Sequence, residues 1–130
     1  MENLHRSEVA QFRSTLAARG AIVAEVDRDL RYVVVDNPRD DFRASAVIGK
    51  TDAQLTSSAD AGLLMEMKAR ALREARPLAR EFRFARGDGE HRYNVFAYPI
   101  REVDGSVQAL LTVAFAMGKT VEVAAEPACC

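Results

Sequence analysis

The side chains of this 130-residue chain that could do chemistry fall into a few groups. Asp36, Asp40 and Asp41 place three carboxylates within six positions. That spacing suits a hard cation, and equally a solvated loop in which one carboxylate caps a helical turn. Arg73, Arg76, Arg80 and Arg83 could meet an anionic ligand or an acidic partner. Glu74 and Glu81 lie among them, as they would on a solvated face. Tyr93 and Glu81 are the acid–base candidates. No Ser-His-Asp or Cys-His arrangement is readable, and no Gly-rich phosphate loop. Cys129 and Cys130 are adjacent and terminal, so they frame neither a disulfide scaffold nor, alone, a four-ligand zinc site. These residues lead to the expectation of a non-catalytic protein with no bound metal.

Composition narrows the partners. The formal net charge is −1, with basic and acidic residues interspersed, which gives no electrostatic case for nucleic acid or an acidic membrane. Hydrophobic residues make up 48% of the chain, enough for one domain with a real core. No apolar run approaches the ~20 residues of a membrane span. The first residues, Met1-Glu2-Asn3-Leu4-His5-Arg6, hold no apolar signal core. The expected location is the cytoplasm.

The elements that position these groups follow from periodicity. Residues 3–18 read as an amphipathic helix, with Val9, Phe12 and Leu16 on one stripe, His5 one turn earlier, and Gly20 as its stop. Ala21–Val26 and Tyr32–Val35 read as strands, the second with four consecutive β-formers, ended by Asp36-Asn37-Pro38. Residues 38–55 hold short helical turns. Ser58 suits the N-cap of a longer helix with Leu63, Leu64, Met67, Ala71 and Leu72 on its apolar face, stopped by Pro77. Leu78–Ala85, Arg92–Ile100 and Val107–Phe115, joined at Gly87-Asp88-Gly89 and Val103-Asp104-Gly105, read as a three-stranded meander.

Alternation along the last two strands leaves both faces apolar. Tyr93, Val95 and Ala97 share one face of the middle strand; Phe96, Tyr98 and Ile100 share the other. A sheet apolar on both faces needs two covers. Phe96, Tyr98, Ile100, Leu111, Val113 and Phe115 form a patch too large to leave in water. Val9, Phe12 and Leu16 are its natural partners, either as an intramolecular lid or in a homodimer whose N-terminal helices pair or swap. The homodimer is the expectation. The domain limits expected are residues 1–19 for the helix, 20–117 for the sheet domain, and a loose tail from 118 to 130.

The order of these elements, with Val26-Asp27-Arg28-Asp29-Leu30-Arg31-Tyr32, Ile48-Gly49-Lys50-Thr51-Asp52, Glu81-Phe82 and Tyr98-Pro99-Ile100-Arg101 before Asp104-Gly105, resembles a PAS domain from about Ala21 to Phe115. The flavour is similar to PAS domains of bacterial sensor histidine kinases. The resemblance implies an α+β fold, a five-stranded antiparallel sheet with helices on one face and the N-terminal amphipathic helix on the other. It implies a sensory and dimerisation module of two-component signalling. It also implies a pocket between sheet and helices lined by Phe42, Leu63, Met67, Phe82, Phe84, Tyr93, Val95, Ala97, Leu110, Thr112 and Ala114. The partners would be a second copy, a small apolar or aromatic ligand, and a signalling effector. The alternatives are an interaction domain with a packed, ligand-free core, and a small ligand-cone enzyme.

Departures from the family pattern matter too. Phe115-Ala116-Met117-Gly118 stands where an Asp-Ile-Thr type coupling motif is common. Nothing of effector size follows, so the chain either stands alone or is one piece of a longer protein. Residues 37–75 hold no cysteine for a flavin adduct. The Leu63–Leu72 segment holds no histidine for haem, and His5 and His91 lie outside the implied pocket. Met65 or Met67 would serve iron only beside a better ligand. The cofactor, if any, stays open, with haem and flavin-adduct chemistry disfavoured.

Overall fold

The structure is a computed structural model that describes residues 3–36, 44–56, 59–86 and 89–119. Phe42, the carboxylates of Asp40 and Asp41, Ser58, the Gly87-Asp88 turn and the tail beyond 119 lie outside the described residues.

Alternating apolar residues give three long strands, β4 (Leu78–Arg86), β5 (Gly89–Arg101) and β6 (Val107–Lys119). Each runs past its expected limit. β5 and β6 stay paired from His91 opposite Lys119 to Arg101 opposite Val107. The earlier hairpin is β2 (Ile22–Asp27) and β3 (Tyr32–Asp36). Its turn is closed by Asp27, whose Oδ1 accepts from the amides of Asp29 and Arg31 at 2.9 and 3.1 Å. β6 is central, antiparallel to both β5 and β2.

The sheet has six strands rather than the expected five. The sixth is β1 (Leu4–His5), parallel to β5 with Leu4 opposite Ile100. It occupies the same edge of β5 that β4 covers as far as Ala97. Pro99, which has no amide to donate, falls in the gap between them. This corrects the reading of residues 3–18 as one helix. The helix proper, α1, is Arg6–Ala17. His5 is an exposed N-cap whose amide donates to Glu8 Oε1 at 2.9 Å, not a member of the apolar stripe. Gly20, at φ +89°, ends α1 in the left-handed conformation that glycine adopts without steric cost.

Between β3 and β4 lie α2 (Ala44–Val47), α3 (Asp52–Leu55) and α4 (Ala59–Glu74). They cover one sheet face. Ala24, Val26, Leu30, Tyr32, Val47, Leu64, Met67, Ala71, Leu72, Phe82, Tyr93, Val95, Ala97 and Leu110 form the core there. The opposite face is covered by the chain's own α1. Val9, Val23, Ile100, Leu111 and Val113 are buried in that second core, and Phe12, Leu16, Phe96, Tyr98 and Phe115 pack half-buried around them. Phe12 meets Tyr98 edge-on, ring centroids 5.6 Å apart, a favoured aromatic geometry.

The narrow α1 stripe is anchored by charge as well. Arg6 donates to both carboxylate oxygens of Glu25, at 2.9 and 2.8 Å, and to both of Glu102, at 3.1 and 2.8 Å. Glu25 is a buried residue on β2, and the guanidinium meets its carboxylate with a two-pronged bond. Arg13 on α1 likewise pairs with Asp36 at the end of β3, at 2.5 Å.

Candidate functional site

Tyr32 opens β3, and its backbone dictates what faces it. Its amide donates to Lys50 O at 3.0 Å, and its carbonyl accepts from the Gly49 amide at 2.7 Å. The pairing continues as a parallel bridge between Tyr32 and Ile48. Gly49 turns the chain there with φ +86°, a conformation disfavoured for side-chain-bearing residues. Immediately beyond, Thr51 begins α3 by donating its amide to Gln54 Oε1 at 2.9 Å. Asp52, the first residue of α3, is thereby set against the Tyr32 ring.

The third member comes from α4. Its buried residues are Ala61, Leu64, Met67, Lys68, Ala71 and Leu72. Lys68 lies four residues from both Leu64 and Leu72, in the middle of the apolar stripe, and is only 1% exposed. Lys68 Nζ donates to Asp52 Oδ2 at 2.6 Å and to the Tyr32 phenol oxygen at 3.0 Å. The Tyr32 hydroxyl donates to Asp52 Oδ1 at 2.6 Å. Nζ also lies 4.5 Å from the Tyr32 ring centroid. A buried charge survives only when paired and hydrogen-bonded, and these three side chains do that for one another. Burial pulls Lys68 below the ordinary lysine range, against the opposing pull of Asp52. Burial, and then the charge of Asp52, push Tyr32 well above the ordinary phenol value.

These three groups form one wall of a half-open cavity of about 230 Å3 between the sheet and the α3–α4 segment. The remainder is mostly apolar: Ile22, Ala24, Leu55, Leu64, Phe84, Tyr93, Val95 and Ala114, with Thr56 and Thr112. Thr112 donates its hydroxyl to Ala24 O at 3.2 Å. At ~30 Å3 per water, the space corresponds to roughly eight waters or one small organic molecule.

Of the expected pocket residues, Phe84, Tyr93, Val95, Thr112 and Ala114 line the cavity. Met67, Phe82, Ala97 and Leu110 belong to the packed core beside it. Leu63 is 37% exposed on the outer side of α4; its neighbour Leu64 takes the inner place. Phe42 lies outside the described residues. The residues that sequence reasoning missed are Lys68, Asp52 and Tyr32 as a unit. A lone lysine in an apolar helical stripe was the readable signal. Asp52 stood in a quoted motif without a role, and Tyr32 was read only as a strand residue.

The other candidates do not converge. Arg76 and Arg70 pair with Glu74 at 2.7 and 3.0 Å on the surface. Arg73, Arg80 and Arg83 are exposed, with Arg80 stacked 5.7 Å from the Phe82 ring centroid. Glu81 lies on the exposed side of β4, 3.5 Å from Arg92, and does not share the cavity with Tyr93. Asp36 is engaged by Arg13, and among the described residues no cluster of potential metal ligands occurs. No described helix is long and apolar enough to cross a membrane.

The sequence pattern of the PAS fold matches residues 16–120. The chain belongs to the PAS family. Solved PAS structures agree with this. The PAS domain of BvgS from Bordetella pertussis superposes with a TM-score of 0.68 at 15% identity, over 92% of this chain and 93% of that one. A PAS domain from Colwellia psychrerythraea gives 0.66 at 12% identity, over 85% and 97%. Vibrio cholerae VqmA, in a structure bound to DPO, gives 0.66 at 14%, over 85% and 57%. At such identities the likeness is one of fold. No curated protein matches the chain significantly.

Proposed function

We propose that this PAS domain is a non-catalytic sensory module that holds a small molecule in the cavity walled by Lys68, Asp52 and Tyr32. The observation that carries the reading is the cavity itself. An interaction domain with a solid core would be packed to crystal-like density at this place. A mostly apolar lining with a few convergent polar groups is the usual form of a small-ligand site, and the volume of about 230 Å3 limits the occupant to a small molecule. VqmA, a relative by fold, is bound to DPO, so the fold accommodates ligands. The small ligand-cone enzyme finds less support, because Glu81 and Tyr93 do not meet.

Transmission would run through β5 and β6. Val95, Thr112 and Ala114 face the cavity, while Phe96, Val113 and Phe115, next to them on the same strands, pack beneath α1. A ligand that favours one packing of these strands shifts the population of α1 arrangements. The half-buried rim of Phe12, Leu16, Phe96, Tyr98 and Phe115 is the surface on which a second copy would dock, in a cytoplasmic signalling setting.

Native mass spectrometry of the protein as purified tests both parts. A mass added to each protomer and lost on denaturation supports the ligand. A bare dimer favours a pure interaction module, and a bare monomer removes the dimer as well.

A further inference from the structure

The ammonium of Lys68 has three N–H donors. One goes to Asp52 Oδ2 and one to the Tyr32 oxygen. Among the described residues the third has no hydrogen-bond acceptor. The Tyr32 ring nearby offers only a weaker electrostatic contact from the same side chain that takes the second bond. Lys68 is nearly fully buried, yet it forms part of the cavity wall. A buried donor without an acceptor is costly, and unpaired N–H groups are rarer in proteins than under-used oxygens.

Charge balance restricts what can answer it. The Asp52 carboxylate already neutralises the ammonium at 2.6 Å. A ligand carboxylate would set two negative charges against one positive in a low-dielectric pocket, and a cation would leave Asp52 shared between two partners. A neutral acceptor on an apolar body satisfies the donor without disturbing the balance. The rings of Phe84 and Tyr93, packed on one another at a tilt of 53° with centroids 6.1 Å apart, and the side chains of Leu55, Leu64 and Val95 give the ligand's hydrocarbon body an apolar wall.

Resting on the cavity reading above, we propose that the ligand is a small uncharged molecule, of about one six-membered ring, whose carbonyl, ether or ring-nitrogen acceptor takes the third N–H of Lys68. Asp52 acts as the positioning residue that keeps the ammonium charged and aimed. The hydrocarbon body supplies affinity and the single acceptor supplies discrimination, since a buried donor left unmatched penalises an analogue lacking the acceptor.

The test compares acetophenone, its isostere α-methylstyrene, in which a CH2 replaces the carbonyl oxygen, and benzoate. Dissociation constants come from chemical-shift titrations of the folded protein. Acetophenone should bind about tenfold or more tightly than α-methylstyrene, as one hydrogen bond to a charged donor implies, and more tightly than benzoate. In Lys68→Met/Asp52→Asn, which removes both charges together, the preference for the ketone should vanish while α-methylstyrene still binds. In Tyr32→Phe, which keeps Lys68, the preference should persist. Equal binding of ketone and isostere, tightest binding by benzoate, or a preference retained without Lys68 overturns the assignment of a neutral acceptor and leaves the cavity reading standing. Absence of binding by all three probes overturns both. Should the double variant fail to fold, the ranking in the unaltered protein and in Tyr32→Phe decides alone.

Discussion

Lys68 Nζ stands 2.6 Å from Asp52 Oδ2, with the two side chains 1% and 7% exposed. A helix and a turn sixteen residues apart thus share one buried ion pair under the sheet. Removing either partner strands a charge. Asp52→Asn and Lys68→Met should each cost ~3–5 kcal/mol. Lys68→Met/Asp52→Asn should cost less than the sum, with a coupling of ~1–3 kcal/mol. Urea denaturation of the four proteins measures this; strictly additive losses would show that the two groups do not support one another.

Tyr32 is linked to the same pair, and its phenol is held well above the usual value. The folded chain therefore keeps a proton that the unfolded chain releases above pH ~10. Its contribution to stability is complete below that pH and falls as pH rises further, because the folded state then binds more protons. Lys68, lowered by burial, acts with the opposite sign: its folded form releases a proton first, so stability from that group rises with pH approaching ~10.4. The quantity to read is the difference between the unaltered protein and Tyr32→Phe. That difference should shrink as pH rises above ~10, and a constant offset would contradict the assignment. At neutral pH, Tyr32→Phe should cost ~1–3 kcal/mol through the lost hydrogen bonds.

Ala114 lines the cavity from β6 and is half-buried. Ala114→Leu projects into open space, so it should leave stability unchanged or raise it by ~0.5–2 kcal/mol. Binding of any small probe should fall at least tenfold. Calorimetric unfolding together with a probe titration checks both halves. A loss of ~1–3 kcal/mol, the usual cost of overpacking, would mean that the space is already filled.

Arg6 joins the first turn of α1 to Glu25 and Glu102. The guanidinium lowers Glu102 and is itself raised by the two carboxylates. Arg6→Met should loosen α1 against the sheet, with a cost of ~1–2 kcal/mol for the half-exposed cluster. Amides of α1 should then exchange hydrogen faster than those of β5 and β6, which belong to the more stable part of the fold. Uniform acceleration across the chain would show that α1 and the sheet open only together.

Much of the architecture was legible because it repeats a period. The meander followed from two-residue alternation and Asp-Gly turns, and the two covers followed from a sheet apolar on both faces. Leu63 shows the limit of that reasoning. Leu63 and Leu64 are adjacent apolar residues of one helix, and composition alone cannot say which points inward. The packing of Ala61, Leu64, Lys68 and Ala71 along one stripe decides it. β1 was illegible for a related reason. Two residues carry no period, and Leu4–His5 becomes a strand only because the edge of β5 beyond Ala97 is open.

The amino-acid sequence by itself determined the class of fold, the two-faced sheet and the small net charge, since these depend on local periodicity and composition. The closure of the outer face by α1, and the meeting of Tyr32, Asp52 and Lys68, were decided only in three dimensions. Each of those three residues reads locally as something ordinary: a strand former, a helix-starting acid and a helical lysine. Their role exists because the turn at Gly49, the start of β3 and the buried stripe of α4 converge on one point. There, removal from water makes each side chain depend on the other two.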